Sequence, residues 1–193
     1  LLSGVTMYFF ARQFWGKWGG LLSGIFYIWA PYHALDIYVR GAMNEAGALV
    51  WFPLVLWSSY KLIKEAQFRW IVTLTLSWAA LLLSHNLMAL IFAPLFAFWV
   101  LLWLFRERSW FTLPQIGLAG IWSLGLAAFF TLPVTFESKF VHVETLVTGY
   151  YEYVAHFADL NQLLVSRFWG YGPSVWGPVD YMAFQVGHLH WAL

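Results

Sequence analysis

Between Trp70 and Phe105 the chain runs for 36 residues without a charged side chain, and this stretch constrains the fold more than any other. As one α-helix it would be about 54 Å long at roughly 1.5 Å per residue. A bilayer's hydrocarbon core is only about 30 Å thick. The one polar break is Ser84-His85-Asn86, so the spacing predicts two short spans meeting there in a tight turn. A soluble alternative fits poorly, because 62% of the residues are hydrophobic and 10% charged, against nearly half and about a quarter in soluble domains.

The few charges alternate in sign from gap to gap. Arg12, Lys17, Lys61, Lys64, Arg69, Arg106 and Arg108 fall in every second gap, accompanied by Glu65 and Glu107. The remaining segments hold Asp36, Arg40, Glu45, Glu137, Lys139, Glu144, Glu152, Asp159, Arg167 and Asp180. That pattern matches the positive-inside bias of a multi-pass protein of the cytoplasmic membrane, with its polar motifs on the extracytoplasmic face. Trp15, Trp18, Trp57, Trp70, Trp103 and Trp110 sit beside the basic gaps, as expected of an interfacial aromatic belt. The chain has no Cys, which excludes disulfides and thiol chemistry. Nothing resembles a nucleic-acid-binding patch.

The expected architecture is therefore all-α: a polytopic transmembrane helical bundle over 1–133, with about five complete spans and truncated ones at each end. Leu1–Ala11 reads as the end of a span and Tyr181–Leu193 as the opening of another, so the chain is expected to be an internal piece of a longer protein. Pro53 is expected to kink its helix. Gly117, Gly120 and Gly125 in the span Leu113–Pro133 offer close helix contact. Residues 134–180 read as an extracytoplasmic loop. Within it, about 150–168 carries an apolar stripe (Tyr150, Tyr153, Phe157, Leu160, Leu164) opposite Glu152, His156, Asp159 and Gln162, the pattern of a helix lying in the interface. Trp169, Tyr171 and Trp176 follow in a Gly/Pro loop that could stack on sugar rings or anchor at the headgroups.

Three polar clusters carry the chemistry. In the first, Asp36 and Arg40 are i,i+4 neighbours if helical, and Gly41 allows another backbone close by. Arg40 can hold a phosphate in a fork of hydrogen bonds, with Glu45 orienting it or binding a sugar hydroxyl; the alternative is an interfacial salt bridge. In the second, His85 could carry a proton or donate to a phosphate and Asn86 bind a hydroxyl. The alternatives there are a capped polar turn and a pigment ligand. In the third, Glu137 emerges beyond Pro133 with Lys139 near, as a candidate general base or cation ligand, or as an ordinary solvated loop. No set of ligands stands at metal-binding spacing.

The segments PYHALDIYVRGAMNEAGALVWFPLVLW, LLLSHNLMALIFAPL, FFTLPVTFESKFV and WGYGPSVWGPVDYMAFQVG resemble the bacterial and archaeal membrane proteins labelled "6-pyruvoyl-tetrahydropterin synthase-related". That membrane family is similar to the GT-C glycosyltransferases. The resemblance implies transfer of sugar from a polyprenyl-phosphate donor at the extracytoplasmic face, with Arg40, Glu45, His85, Asn86, Glu137 and Lys139 as candidate cavity residues. It also implies that the usual catalytic acid, in the first outer loop, lies before Leu1. A divalent cation remains open as a cofactor. The other expectation is a non-catalytic subunit packed against other membrane proteins, where a pigment would be the cofactor.

Overall fold

The computed structural model describes residues 1–140, 157–167, 183–185 and 187–192. Every element among them is helical. The chain divides into two compact units: residues 1–28 with 44–131, and residues 29–43 with 132–193.

The first unit opens with α1, Leu2–Trp29, which is a hairpin rather than a rod. Gly16, at φ 67° and ψ −169°, breaks the helix. Glycine reaches that left-handed region without the steric cost a side chain would incur. The arms fold back because small residues line their contact. A Cβ on Gly24 would lie 2.8 Å from the Gly4 carbonyl oxygen, and one on Gly20 would lie 3.0 Å from the Tyr8 carbonyl oxygen. The expected basic loop therefore contracts to one residue. Each arm is about 20 Å long, too short for a complete span.

Next come α3, Met43–Glu65, α4, Phe68–Ser84, and α5, Asn86–Glu107. They alternate in direction, as contacts at both ends show. At one end Trp51 Nε1 donates to Ser84 Oγ at 3.0 Å. At the other, Lys64 pairs with Glu107 at 3.2 Å. Leu62, Leu74, Leu81 and Leu104 are fully buried between these helices. Helix α6, Leu113–Leu126, packs on α4 through small polar residues. Ser123 Oγ donates to the Thr75 carbonyl at 3.0 Å and the Ala119 carbonyl at 2.7 Å. Side-chain bonds of this kind hold helices together where burial from lipid supplies little driving force.

Pro53 sits inside α3. Having no N–H, it cannot serve the carbonyl of Leu49 four residues back. The Tyr27 hydroxyl, from the second arm of α1, donates to that oxygen at 2.8 Å. A local backbone defect thus becomes the anchor between α1 and α3.

Among the described residues two helices, Met43–Glu65 and Asn86–Glu107, are long and apolar enough to cross a membrane; the pair Trp110–Leu126 and Ala128–Phe136 makes a third if it is one span. This is fewer than the five expected. The α1 arms are half-length, α4 has only 17 residues, and the stretch expected as one span over 113–133 bends by 78° between α6 and α7, Ala128–Phe136. The bend falls at Ala127, whose φ of −90° and ψ of 5° leave the helical region. Gly117, Gly120 and Gly125 also differ from expectation, since a Cβ on each meets nothing within 4 Å. The close approaches belong to Gly4, Gly20 and Gly24 instead.

The basic end of the first unit is floored by rings. Phe14 lies 5.0 Å from Tyr60 and 5.7 Å from Trp103, and Trp57 lies 5.2 Å from Trp70. Trp57, Trp70 and Trp103 are thus an internal aromatic layer, while Trp15, Trp18 and Trp110 stay exposed. Beyond the layer Lys61 and Arg69 both pair with Glu65.

In the second unit, α2, Pro31–Ala34, runs into a π-helical turn, Leu35–Val39. Helix α8, Leu160–Leu164, and helix α9, His188–Ala192, are one turn each. The interfacial helix expected over about 150–168 is not realised in its described part. Residues 157–159 are not helical, and Asp159 caps α8 in a reciprocal box with Gln162. That box buries Gln162 and leaves Leu160 and Phe157 exposed. Residues 150–156 and 168, with Trp169, Tyr171 and Trp176, lie outside the described residues. So does part of the span expected from Tyr181; of its described residues, 183–185 and 187–192, only the turn of α9 is helical.

Candidate functional site

The end of the first unit opposite the basic cluster is built by three helix termini. Helix α4 stops at Ser84 and α5 starts at Asn86, so His85 alone makes the reversal. Its backbone is extended, at φ −161° and ψ 103°. Its N–H still closes α4 onto the Leu81 carbonyl at 3.0 Å, and its carbonyl opens α5 by accepting from Ala89 at 3.1 Å. The side chain then caps α5, with Nδ1 accepting from the Met88 N–H at 3.2 Å. An acceptor at Nδ1 places the neutral ring's proton on Nε2. Nε2 in turn faces Glu45 Oε1, in the first turn of α3, at 3.8 Å.

That separation exceeds a hydrogen bond, so the two groups interact as charges when the ring is protonated. Both are partly shielded, with side chains 24% and 17% exposed. Gly47 of α3 faces Ser84, and a Cβ added there would make ordinary contact at 3.9 Å, so the approach of α3 does not require a glycine. Asn86 is exposed, and its Oδ1 accepts from the Leu87 N–H at 2.9 Å.

The second unit holds the other cluster. Arg40 Nη1 bonds Asp36 Oδ1 at 2.9 Å and the Tyr32 hydroxyl at 3.2 Å. Asp36 is fully buried while the Arg40 side chain is 38% exposed. A buried carboxylate is expensive unless paired, and Arg40 supplies that pairing. A salt bridge is thus the arrangement adopted. Gly41 lies at φ 63° with nothing within 4 Å of an added Cβ, so it serves the turn into α3 rather than a close backbone approach. Nearby His33 is buried, and burial pushes its imidazole below the usual histidine range.

Glu137 and Lys139 also belong to this unit. Both are exposed, and Lys139 stands 5.1 Å from the centre of the Phe140 ring. Among the described residues no three His, Asp or Glu side chains converge as a metal site. The structure therefore brings Glu45 to His85, with Asn86 beside it in the chain, and Arg40 to Asp36.

Two participants were not singled out in the sequence. Tyr32 could have been found, since Tyr32, Asp36 and Arg40 follow the i,i+4 spacing of one helix face. Trp51 had no comparable signal. No family model, no curated protein and no solved structure matches this chain.

Proposed function

We propose that the protein is a multi-pass membrane glycosyltransferase of the GT-C type, or the central part of one. It would act at the extracytoplasmic face on a polyprenyl-phosphate-linked sugar. The observation that carries this reading is the Glu45–His85 pair at the end of the helical unit remote from its cationic cluster. An ionisable pair kept on otherwise apolar helices costs stability and is usually retained for function. Glu45 accepts the proton of an acceptor hydroxyl as that oxygen attacks the sugar's anomeric carbon. His85 stands beside it, with Nε2 3.8 Å from the carboxylate. Asn86 offers its amide to a sugar hydroxyl. Arg40, Lys139 and Glu137 stay candidates through the family resemblance alone, the two cations for a phosphate and Glu137 as a second carboxylate.

The test is transfer of a labelled sugar from polyprenyl phosphate by membranes containing the natural full-length protein. Glu45→Gln should lower transfer by about 10²–10⁴-fold, the usual share of a positioned acid–base group, with Glu137→Gln as the comparison. Undiminished transfer by Glu45→Gln would remove Glu45 from the reaction. A wild type inactive on every polyprenyl-linked sugar supplied would remove the enzyme reading altogether.

A second reading, a non-catalytic subunit of a membrane complex, is favoured by the open surface beside Gly117, Gly120 and Gly125. Small residues on a membrane helix are where another helix approaches closely. Under that reading, Gly120→Leu should abolish co-purification of a membrane partner.

A further inference from the structure

The α1 hairpin carries a groove of about 950 Å³ on its outer side, formed wholly within residues 1–28. Val5 and Phe9 line it from the first arm, Leu21 and Ile25 from the second, and Lys17 and Trp18 stand where the arms join. The groove exists because Gly4 and Gly24 bring the backbones together without side chains between them.

Its polarity is graded. The walls are apolar, and the joined end carries a cation. From Lys17 to Ile28 the second arm rises about 17 Å, close to the roughly 15 Å depth of one leaflet's hydrocarbon. Residues 1–29 contain no Asp or Glu. Most other cations of this end are engaged: Lys61 and Arg69 with Glu65, Lys64 with Glu107, Arg106 over Trp103 and Arg12 over Tyr8, while Arg108 caps the end of α5, outside the residues that line the groove. Lys17 is exposed and, among the described residues, makes no ion pair. Trp15 and Trp18 beside it are 65% and 83% exposed, suited to headgroup level.

We propose that this groove binds one anionic phospholipid, its acyl chain between the two arms and its phosphate on Lys17. A helix or a second copy of the chain would need no cation at one end and no leaflet-length run of apolar wall. The ligand's shape and charge gradient match both. The occupied groove stiffens the hairpin by filling the space between its arms, and the site is separate from the Glu45–His85 end.

The experiment reconstitutes the full chain in phosphatidylcholine nanodiscs doped with a photoreactive phosphatidylglycerol or a photoreactive phosphatidylcholine of identical acyl chains. Adducts are mapped by peptide. Labelling within residues 1–29 should favour phosphatidylglycerol by about fivefold, the preference one basic residue near a membrane surface supplies. Lys17→Gln should erase that preference, and Ile25→Trp should lower labelling by both lipids. Lys17 is exposed, so its variant keeps the wild-type helicity and elution volume. Equal labelling by the two lipids, or a preference that survives Lys17→Gln, overturns the proposal. So does chain-to-chain crosslinking through residues 1–29 in place of lipid adducts.

Discussion

Replacing Tyr27 with Phe deletes a single oxygen, and its cost should depend on a second residue, Pro53. The hydroxyl serves the Leu49 carbonyl at 2.8 Å, an oxygen left over because Pro53 has no N–H. In the wild type, Tyr27→Phe strands that carbonyl in an apolar setting, at a cost of about 1–3 kcal/mol. Hydrogen bonds between membrane helices average nearer ~0.6 kcal/mol, so about 1 kcal/mol is the expected loss. With Pro53→Ala in place, residue 53 donates to Leu49 within the helix. Tyr27→Phe should then cost only a few tenths of a kcal/mol. A double-mutant cycle of unfolding free energies in mild detergent isolates the difference, with an expected coupling of about 0.5–1 kcal/mol. Equal costs in both backgrounds would refute the argument that Tyr27 repairs the proline's gap.

The glycines of α1 and α6 should respond oppositely. Gly24→Ala places a Cβ 2.8 Å from the Gly4 backbone and should lower the melting midpoint, since overpacking costs about 1–3 kcal/mol. Gly120→Ala meets nothing and should raise stability by about 0.5–1 kcal/mol through helix propensity; a fall in its midpoint would mean that α6 packs there. His85→Asn keeps a good capping residue and should leave the midpoint unchanged, while His85→Ala loses the cap at about 0.5–2 kcal/mol. If the two variants melt together, the Nδ1 cap contributes nothing. His33 is held below its ordinary value of about 6.5, so the unfolded chain binds its proton first. The stability it contributes is therefore present above about pH 6.5 and lost as pH falls toward the folded value. His33→Gln should flatten that acid-side loss in midpoint against pH, and an unchanged slope would remove His33 as its source.

The helical pair over residues 70–105 was legible because its length, lack of charge and single polar break leave one solution. The α1 hairpin was not. An apolar run of ten residues looks the same whether it continues as a span or folds back, and Gly4, Gly20 and Gly24 acquire meaning only once Gly16 has paired the arms. Gly117, Gly120 and Gly125 carry a similar spacing, yet open space faces them. Composition marks where close packing is permitted, and long-range geometry decides where it occurs. Ala127 itself carries no breaker signal either, so the 78° bend there was not legible.

The candidate site divides along the same line. Asp36 and Arg40 pair through local helical spacing, which is why their salt bridge could be read in advance. Glu45 and His85 meet only because α4 returns the chain to the start of α3. A polar residue at a one-residue reversal must cap the following helix, so the contact of Nδ1 with Met88 argues nothing about function by itself. Glu45 is different, because its carboxylate adds nothing to that cap. An Ala at 45 would have the better helix propensity but would lose a negative charge that complements the helix dipole in the first turn of α3. The position retains a carboxylate facing the Nε2 side of the ring. Comparing the melting midpoint of Glu45→Gln with its transfer activity separates the local stability of this carboxylate from a role in reaction.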